Sequence, residues 1–297
     1  MGRVDLDVVR KVAIFLPPTL GDCVNHLATL RWLSDGLPGR EITALSGGLG
    51  LGVLTAFPVE GVRVANRDSA LKELWLRGRY DLGVFPYVQN KMVRIAKAGR
   101  VRQLAGLRGG KHDDWFTFGV EPVLGQHQVL EVCRQLFEHI GIPCPVPVWD
   151  LGVARPPARG GPPRVGFMTG ASRADKQWPT AKFLQVAECC QRRGCQIFNF
   201  GGPGESGALD SLGAVDYAGT PSDFRTTART LAQMDLLVTN DTGLMHLAGA
   251  VGTRVAAVFM VESPAEYFPP GTGHVLLEGD VPVEAVLDAV KEIVGWE

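Results

Sequence analysis

Short apolar runs rich in branched residues alternate along the chain with longer amphipathic ones. Residues 11–16 (KVAIFL) read as a strand and 23–36 as a helix ending near Gly36. Strands follow at 41–46 and 62–66, a helix at 69–78 and a strand at 81–88. In 126–141, Val129, Val132, Cys133, Leu136, Phe137 and Ile140 recur at spacings of three and four, which predicts an amphipathic helix stopped by Gly141 and Pro143. The texture then changes. Residues 142–164 are crowded with proline, an extended and semi-rigid linker, and place a domain boundary near residue 155. Beyond it the alternation restarts, with strands at 164–168, 196–200, 235–239 and 254–259 and helices at 180–194, 222–234, 243–252 and 283–295. Strands alternating with helices imply parallel sheets with right-handed crossovers. Two such halves predict an α/β protein of two Rossmann-like domains, 1–155 and 156–297, facing across a cleft.

Composition narrows the class. A chain of 297 residues, 45% hydrophobic and 21% charged, suits two soluble domains. Its net charge of −1 argues against nucleic acid as a partner. No apolar run reaches the roughly 18 residues a membrane span needs, and Asp5 and Asp7 spoil residues 1–21 as a signal peptide, so a cytoplasmic protein is expected. The six cysteines form no C-x-x-C and read as reduced and mostly core, with neither disulfide frame nor zinc site. The near-neutral total hides an asymmetry. Between Arg63 and Lys111 twelve Lys/Arg face Asp68, Glu73 and Asp81, a local +9, whereas from Met260 to Glu297 eight acids face Lys291 alone. Each run suits a solvated face. The basic one also suits an anionic partner, a phosphorylated substrate or the surface of a membrane.

Ligands of doubly wound sheets bind beyond the carboxyl ends of the strands, and four turns of that kind stand out. In the first, Pro17-Pro18 stiffen a loop before Gly21-Asp22 open a helix. The spacing favours Asp22 as an N-cap, with a general base at a cleft rim as the functional alternative; His26, one turn on, reads as structural. In the second, Thr169-Gly170-Ala171-Ser172 offers backbone N–H groups and hydroxyls, with Arg173 and Lys176 nearby and Thr180 expected to cap the next helix, which suits a phosphate. The third, NFGGPGESG, spells G-x-G-x-x-G at Gly202, Gly204 and Gly207 before an expected helix, with Asp223 about twenty residues on. Pro203 sits inside that motif, and Glu205 is the more useful residue, a carboxylate able to hold ribose hydroxyls. The fourth is Asn240-Asp241-Thr242-Gly243 at the start of a helix, whose free N–H groups and dipole suit an oxygen-rich anion. There Asp241 is expected to cap the helix or orient the loop.

Together these segments resemble glycosyltransferase family 9, the ADP-heptose:lipopolysaccharide heptosyltransferases. TNDTGLMHLAGAVGTRVAAVF is similar to the family's C-terminal signature, GASRADKQWPTAKFLQVA to its G-A-S-x-x-K-x-W-P segment, GGPGE to its glycine turn and TLGD to its S-L-G-D. The resemblance implies a GT-B fold and a nucleotide-sugar donor, ADP-heptose, held mainly by the C-terminal domain. It implies that Lys176 contacts the diphosphate, that Thr242 and Gly243 cradle it and that Glu205 holds the ribose. Thr169, Gly170, Ser172, Asp241 and His246 complete the expected donor site, and Thr19 and Gly21 accompany Asp22, which the resemblance turns from N-cap into the base of an inverting transfer. No metal and no cofactor are expected, since Lys176 and a helix N-terminus can steady the leaving diphosphate. The acceptor would be a lipopolysaccharide core met by the basic stretch, with any membrane contact peripheral, at the inner face of the inner membrane, and weakened by salt.

The sequence departs from the family at Asn25, at Ala28 and at Met260-Val261-Glu262, where relatives often read Gly-x-Thr; an acid there puts the donor sugar in question. Three other readings stand beside the first: a family 9 enzyme acting on another glycan or a small molecule, an NAD-dependent oxidoreductase resting on GGPGESG, and a non-catalytic sugar-nucleotide binder.

Overall fold

The computed structural model describes residues 4–76, 79–157, 160–218 and 223–296. Arg77 of the basic stretch, Ala158 and Arg159 of the linker and Ser222 at an expected helix start lie outside the described residues. Contacts divide the chain into two units between Trp149 and Asp150, within the proline-rich segment and a few residues before position 155.

Unit 1 runs β1 (Lys11–Phe15), α1 (Leu20–Gly36), β2 (Glu41–Ser46), α2 (Gly48–Ala56), β3 (Val62–Asn66), α3 (Ala70–Leu76), β4 (Leu82–Phe85), α4 (Asn90–Ala98), β5 (Gln103–Leu107), β6 (Phe118–Val120) and α5 (Gln128–His139). Its sheet is parallel throughout, in the order β3-β2-β1-β4-β5-β6. Helices that cover a parallel sheet bury both its faces, which is why β1 and β4 are apolar without alternation. Phe15 and Phe85 stack at 4.6 Å between β1 and β4, over Leu74 of α3 and Met92 of α4.

Unit 2 runs β7 (Arg164–Met168), α6 (Thr180–Arg192), β8 (Gln196–Phe200), β9 (Val215–Asp216), α7 (Phe224–Leu231), β10 (Leu236–Asn240), α8 (Gly243–Ala250), β11 (Arg254–Phe259), α9 (Pro264–Tyr267), β12 (Val275–Glu278) and α10 (Val283–Val294). The order β12-β11-β10-β7-β8-β9 repeats that of unit 1, again all parallel. Its core gathers Phe167 and Val238 of the sheet, Phe183 and Val186 of α6 and Val290 of α10 around Trp178, which is fully buried.

Both units are therefore doubly wound, each with one point where the strand order reverses: between β1 and β4, and between β7 and β10. A ligand crevice belongs at the carboxyl edge of each. Among the described residues no helix is long and apolar enough to cross a membrane.

The structure corrects three local expectations. No helix follows the glycine turn after β8; two single 3₁₀ turns, Pro203–Glu205 and Asp210–Leu212, lead directly into β9. The N-cap of α6 is Pro179, with Thr180 its first helical residue. Asp22 is no N-cap either: Thr19 holds that position, and Asp22 lies in the first turn of α1.

Candidate functional site

At the reversal point of unit 2, Asn240 ends β10 with its side chain fully buried. Its amide nitrogen donates to the carbonyls of Thr169 and Gly170, at 3.0 and 2.9 Å, and its amide oxygen accepts from the backbone N–H of Trp178 at 2.8 Å. One side chain thus joins the loop after β7 to the loop after β10. Three hydrogen bonds use both N–H donors and one of the two acceptor positions of the amide and leave the loop little freedom. Trp178 anchors the other end of the loop, donating from its indole to Val281 at 3.0 Å and packing edge-on against Phe183. The Trp-Pro pair is therefore the point at which a polar loop is fixed to an apolar core.

Held in this way, Lys176 extends to the end of β10. Its ammonium donates to Asp241 at 2.8 Å and lies 3.0 Å from Glu262, which follows β11. Burial disfavours the charge on Lys176, but hydrogen bonds to Asp241 and Glu262 outweigh it and raise its pKa above the ordinary value, so the side chain stays a cation. Arg173 lies against Asp175 and is 3.7 Å from Glu262. Asp241 thus pairs with Lys176 and does not cap α8. Thr242 is the N-cap, in extended conformation with no side-chain cap bond, and its hydroxyl contacts that of Thr239 at 3.2 Å. The first N–H groups of α8 carry the positive end of its dipole to the same edge.

Glu205 arrives from β8. Its carboxylate lies over Gly170, where any Cβ would overlap it, and it packs on Gly201. Only glycine at 170 lets that side chain reach the loop after β7. The turn that carries Glu205 is held by Asp216 at the end of β9, which accepts from Ser206, Gly207, Ala218 and Asn199 and is thereby lowered in pKa against its own desolvation. Because this turn opens no helix, it lacks the N-terminus on which a dinucleotide fingerprint depends, and Asp223 is only the N-cap of α7. The NAD reading loses its motif. Of the other expected donor-site residues, Ser172 is exposed at the loop tip, Thr169 is buried and contributes its carbonyl, and His246 is buried within α8.

The reversal point of unit 1 is built differently. Asp22, half-buried, accepts the Thr19 hydroxyl at 2.5 Å. Arg67 from the end of β3 donates to the Tyr87 hydroxyl at 3.3 Å, and Tyr87 from the end of β4 donates to the carbonyl of Leu16 at 3.0 Å. Burial pushes the Tyr87 phenol up to about 12, with Arg67 opposing and with Cys23 and Asp22 adding to the rise. Gln89 donates to Phe15 at 2.7 Å and leaves its buried Oε1 without a hydrogen-bond partner. Arg67, Tyr87 and Gln89 escape a linear reading because they follow β3 and β4, some 45 to 67 residues beyond Asp22; the order β3-β2-β1-β4 brings them to the end of β1, which leads into the α1 turn. Gly21 is buried at the start of α1. His26 is buried too, its Nδ1 3.0 Å from the Thr29 hydroxyl, and burial, then the nearby His127, lower its pKa to about 3, so it serves as a neutral core residue.

A model of "Glycosyltransferase family 9 (heptosyltransferase)" matches residues 117–277, more than half of the chain. The chain belongs to glycosyltransferase family 9. The matched region holds Lys176, Glu205 and Asp241–Gly243 but not Asp22. Lipopolysaccharide heptosyltransferase 1 of Pseudomonas aeruginosa is 32% identical over 166 residues, which cover 53% of this chain and 46% of that enzyme. The aligned part is thus just under half of that relative. Two solved structures align nearly end to end: a family 9 glycosyl transferase from Veillonella parvula (TM-score 0.80, 16% identity, 97% of this chain and 98% of that one) and the E. coli heptosyltransferase WaaC with ADP (TM-score 0.77, 18% identity, 95% and 99%). At that identity they show the fold, which is GT-B.

A cavity of about 370 Å³ opens at the opposite edge of unit 2, at the amino ends of β7, β8 and β10, beside Arg155, Arg164 and Asp235. It lies away from the carboxyl edge where doubly wound sheets bind ligands, and no role is assigned to it. Among the described residues no group of three His, Cys, Asp or Glu is placed to hold a metal ion.

Proposed function

We propose that this family 9 member transfers a heptose from ADP-heptose to a lipopolysaccharide core acceptor, with inversion. The observation that carries the reading is the carboxyl edge of unit 2, where Asn240 ties the loop after β7 to the end of β10, Lys176 pairs with Asp241 just before α8, and Glu205 lies over Gly170. A cation, an uncapped helix start and a carboxylate on a glycine turn are the groups a nucleoside diphosphate needs: two for the phosphates, one for ribose hydroxyls. The solved neighbour with ADP bound, and the name of the Pseudomonas relative, support ADP and heptose as its parts.

The chemistry asks little more. A sugar nucleotide carries its own leaving group, so the protein must align acceptor and anomeric carbon, remove a proton and steady the departing diphosphate. Asp22 is the base; it gives up the Thr19 hydroxyl and accepts the proton of the acceptor hydroxyl. Lys176 and the α8 N–H groups meet the negative charge that develops on the diphosphate, with no metal required. A basic flank of unit 1 with exposed Lys72, Lys91, Arg94 and Lys111 suits the phosphates of a lipopolysaccharide core or an anionic membrane surface.

A second reading keeps the class and changes the substrate: another glycan or a small molecule as acceptor. The family match begins at residue 117, so most of unit 1, with Asp22 and the basic flank, lies outside it, and that favours the second reading.

Thermal stabilisation by ADP, UDP, GDP, CMP, NAD and ADP-heptose tests the donor. ADP and ADP-heptose should raise the melting temperature, by an amount that grows with ligand concentration, and Lys176→Ala should remove the shift. A larger shift with UDP or GDP would keep the enzyme class and discard heptose; a shift with NAD alone would discard the class.

A further inference from the structure

Lys176 is already occupied. Its ammonium has three donors, of which one goes to Asp241 and one to Glu262. The cluster around it contains two cations, Arg173 and Lys176, and three carboxylates, Asp175, Asp241 and Glu262. The ligand-free site is therefore negative by one charge, in a place that the reading above gives to a diphosphate. A polyanion arriving there meets like charge, and withdrawal of one carboxylate would relieve it.

The two carboxylates on Lys176 differ in how firmly they are held. Asp241 directly follows the central strand β10, its backbone N–H donates to the carbonyl of Val258 at 3.2 Å, and its side chain is 9% exposed. Glu262 lies beyond the end of β11, in the segment before α9; its longer side chain is 22% exposed. Its second oxygen, Oε2, is buried without a hydrogen-bond partner. A buried carboxylate oxygen left unmatched costs free energy that any move toward water recovers. Glu262 thus gives up its contact with Lys176 and the longer one with Arg173 on leaving, and regains solvation at both oxygens.

We propose that Glu262 competes with the diphosphate of the donor for Lys176 and thereby sets the affinity of the donor site. Its Oε1 occupies, against the Lys176 ammonium, the place a phosphate oxygen must take. Binding of the donor exchanges one anion for another and sends the Glu262 side chain to solvent. The inference rests on the donor-site reading of the previous subsection, and it makes Glu262 a determinant of specificity that acts through Lys176.

The test is calorimetric titration of ADP and of adenosine into the full chain and into Glu262→Gln, Glu262→Asp and Lys176→Ala. Glu262→Gln should tighten ADP about tenfold, the worth of one partly buried charge pair, and leave adenosine within about twofold. Glu262→Asp, which keeps the charge, should stay close to the parent. Adenosine, lacking phosphate, is the readout that a change of pocket shape would move and a competition for Lys176 would not. Weaker ADP binding in Glu262→Gln, or equal shifts for ADP and adenosine, overturns the competition. If Lys176→Ala weakens ADP while Glu262→Gln leaves it unchanged, the donor site stands and the competition alone falls. If Lys176→Ala leaves ADP binding intact, the donor-site reading falls first and takes the inference with it.

Discussion

The two units share one strand order and one place for a ligand, yet they furnish that place in opposite ways. At the β7/β10 edge, three side-chain hydrogen bonds from Asn240 and two ion pairs on Lys176 fix the loops to one another. At the β1/β4 edge the Pro17 carbonyl accepts from Ser46 and Cys23, at 2.6 and 3.1 Å, but the side chains around Asp22 carry single contacts and, among the described residues, no ion pair: Thr19 to Asp22, Arg67 to Tyr87, Tyr87 to Leu16, Gln89 to Phe15. The first arrangement is preorganised, which suits a donor bound through fixed charges. The second leaves a half-buried carboxylate held by one hydroxyl, which suits a group that must exchange that hydroxyl for one on a substrate. The same topology thus carries one edge crossed by ion pairs and one held by hydrogen bonds alone, and the proposed division between donor binding and proton removal follows that difference.

Replacement of Asp22 gives the largest expected effect. Asp22→Asn keeps the size and the Thr19 contact but removes the basic oxygen. Transfer should fall by about 10²–10⁴-fold, the usual contribution of a general base, while ADP binding stays unchanged. Activity is read by release of ADP and affinity by calorimetry. A variant that loses ADP affinity as well would give Asp22 a part in donor binding and undo the division of labour.

What the sequence could show follows the same contrast. The strands at 41–46, 62–66, 164–168 and 254–259 agree with β2, β3, β7 and β11 to the residue, because each is a short run rich in branched or apolar residues set off by glycine, proline or polar neighbours. Helix α2 was invisible: GLGLGVLTA has three glycines and no polar face. Gly50 explains why, since a Cβ there would come within 2.6 Å of Cys23 Sγ, the Pro17 carbonyl and Ser46 Oγ. Close packing against the β1–α1 loop selects glycine over helix propensity. Helix α4 hid within the charge run, its buried Met92, Val93 and Ala96 set among lysines and arginines. Strands β6 and β9 are too short to show any period. Of the site, the motif-bearing half was legible, because its loops are continuous in sequence. Asn240 stands in the sequence as the first residue of the fourth turn, but its bridging role does not show there, since its partners lie more than sixty residues away. Glu262 was noticed only as a departure, and its contact with Lys176 depends on β10 and β11 being neighbours.

Acid should separate the units next. The pKa of His26 in unit 1 is lowered from 6.5 to about 3, by burial and then by His127. Above pH 6.5 the ring is neutral folded or unfolded, and its contribution is intact. Between pH 6.5 and 3 only the unfolded chain binds the proton, so stability falls as pH falls, by at most about 1.4 kcal/mol per pH unit. His274 in unit 2 is also lowered by burial, but the carbonyl of Pro270 opposes the shift. Amide exchange in urea at pH 7 and pH 5 should show α1 and α5 losing protection before α6 and α10. His26→Gln, which cannot take up a proton, should flatten the dependence in unit 1; an unchanged slope would assign the acid sensitivity to other groups.

Surface charge offers the smallest effect. Unit 1 presents Lys72, Lys91, Arg94 and Lys111 to solvent, and Trp75 on α3 is 64% exposed beside Leu71. Part of the basic stretch is neutralised internally: Arg63 by Glu73, Arg102 by Asp81, Arg108 by Glu121. What is left open suits a peripheral contact in which cations meet anionic headgroups and an aromatic ring enters the interface. Each cation near such a surface is worth about 1 kcal/mol, so Lys91→Gln should weaken co-sedimentation with anionic vesicles about fivefold at low salt. The contact should disappear in high salt and be absent with neutral vesicles, because it acts through screened charge. Binding that persists with neutral vesicles would shift the weight to Trp75 and Leu71. Binding that Lys91→Gln leaves unchanged would make the basic flank a solvated face or a surface for the acceptor alone.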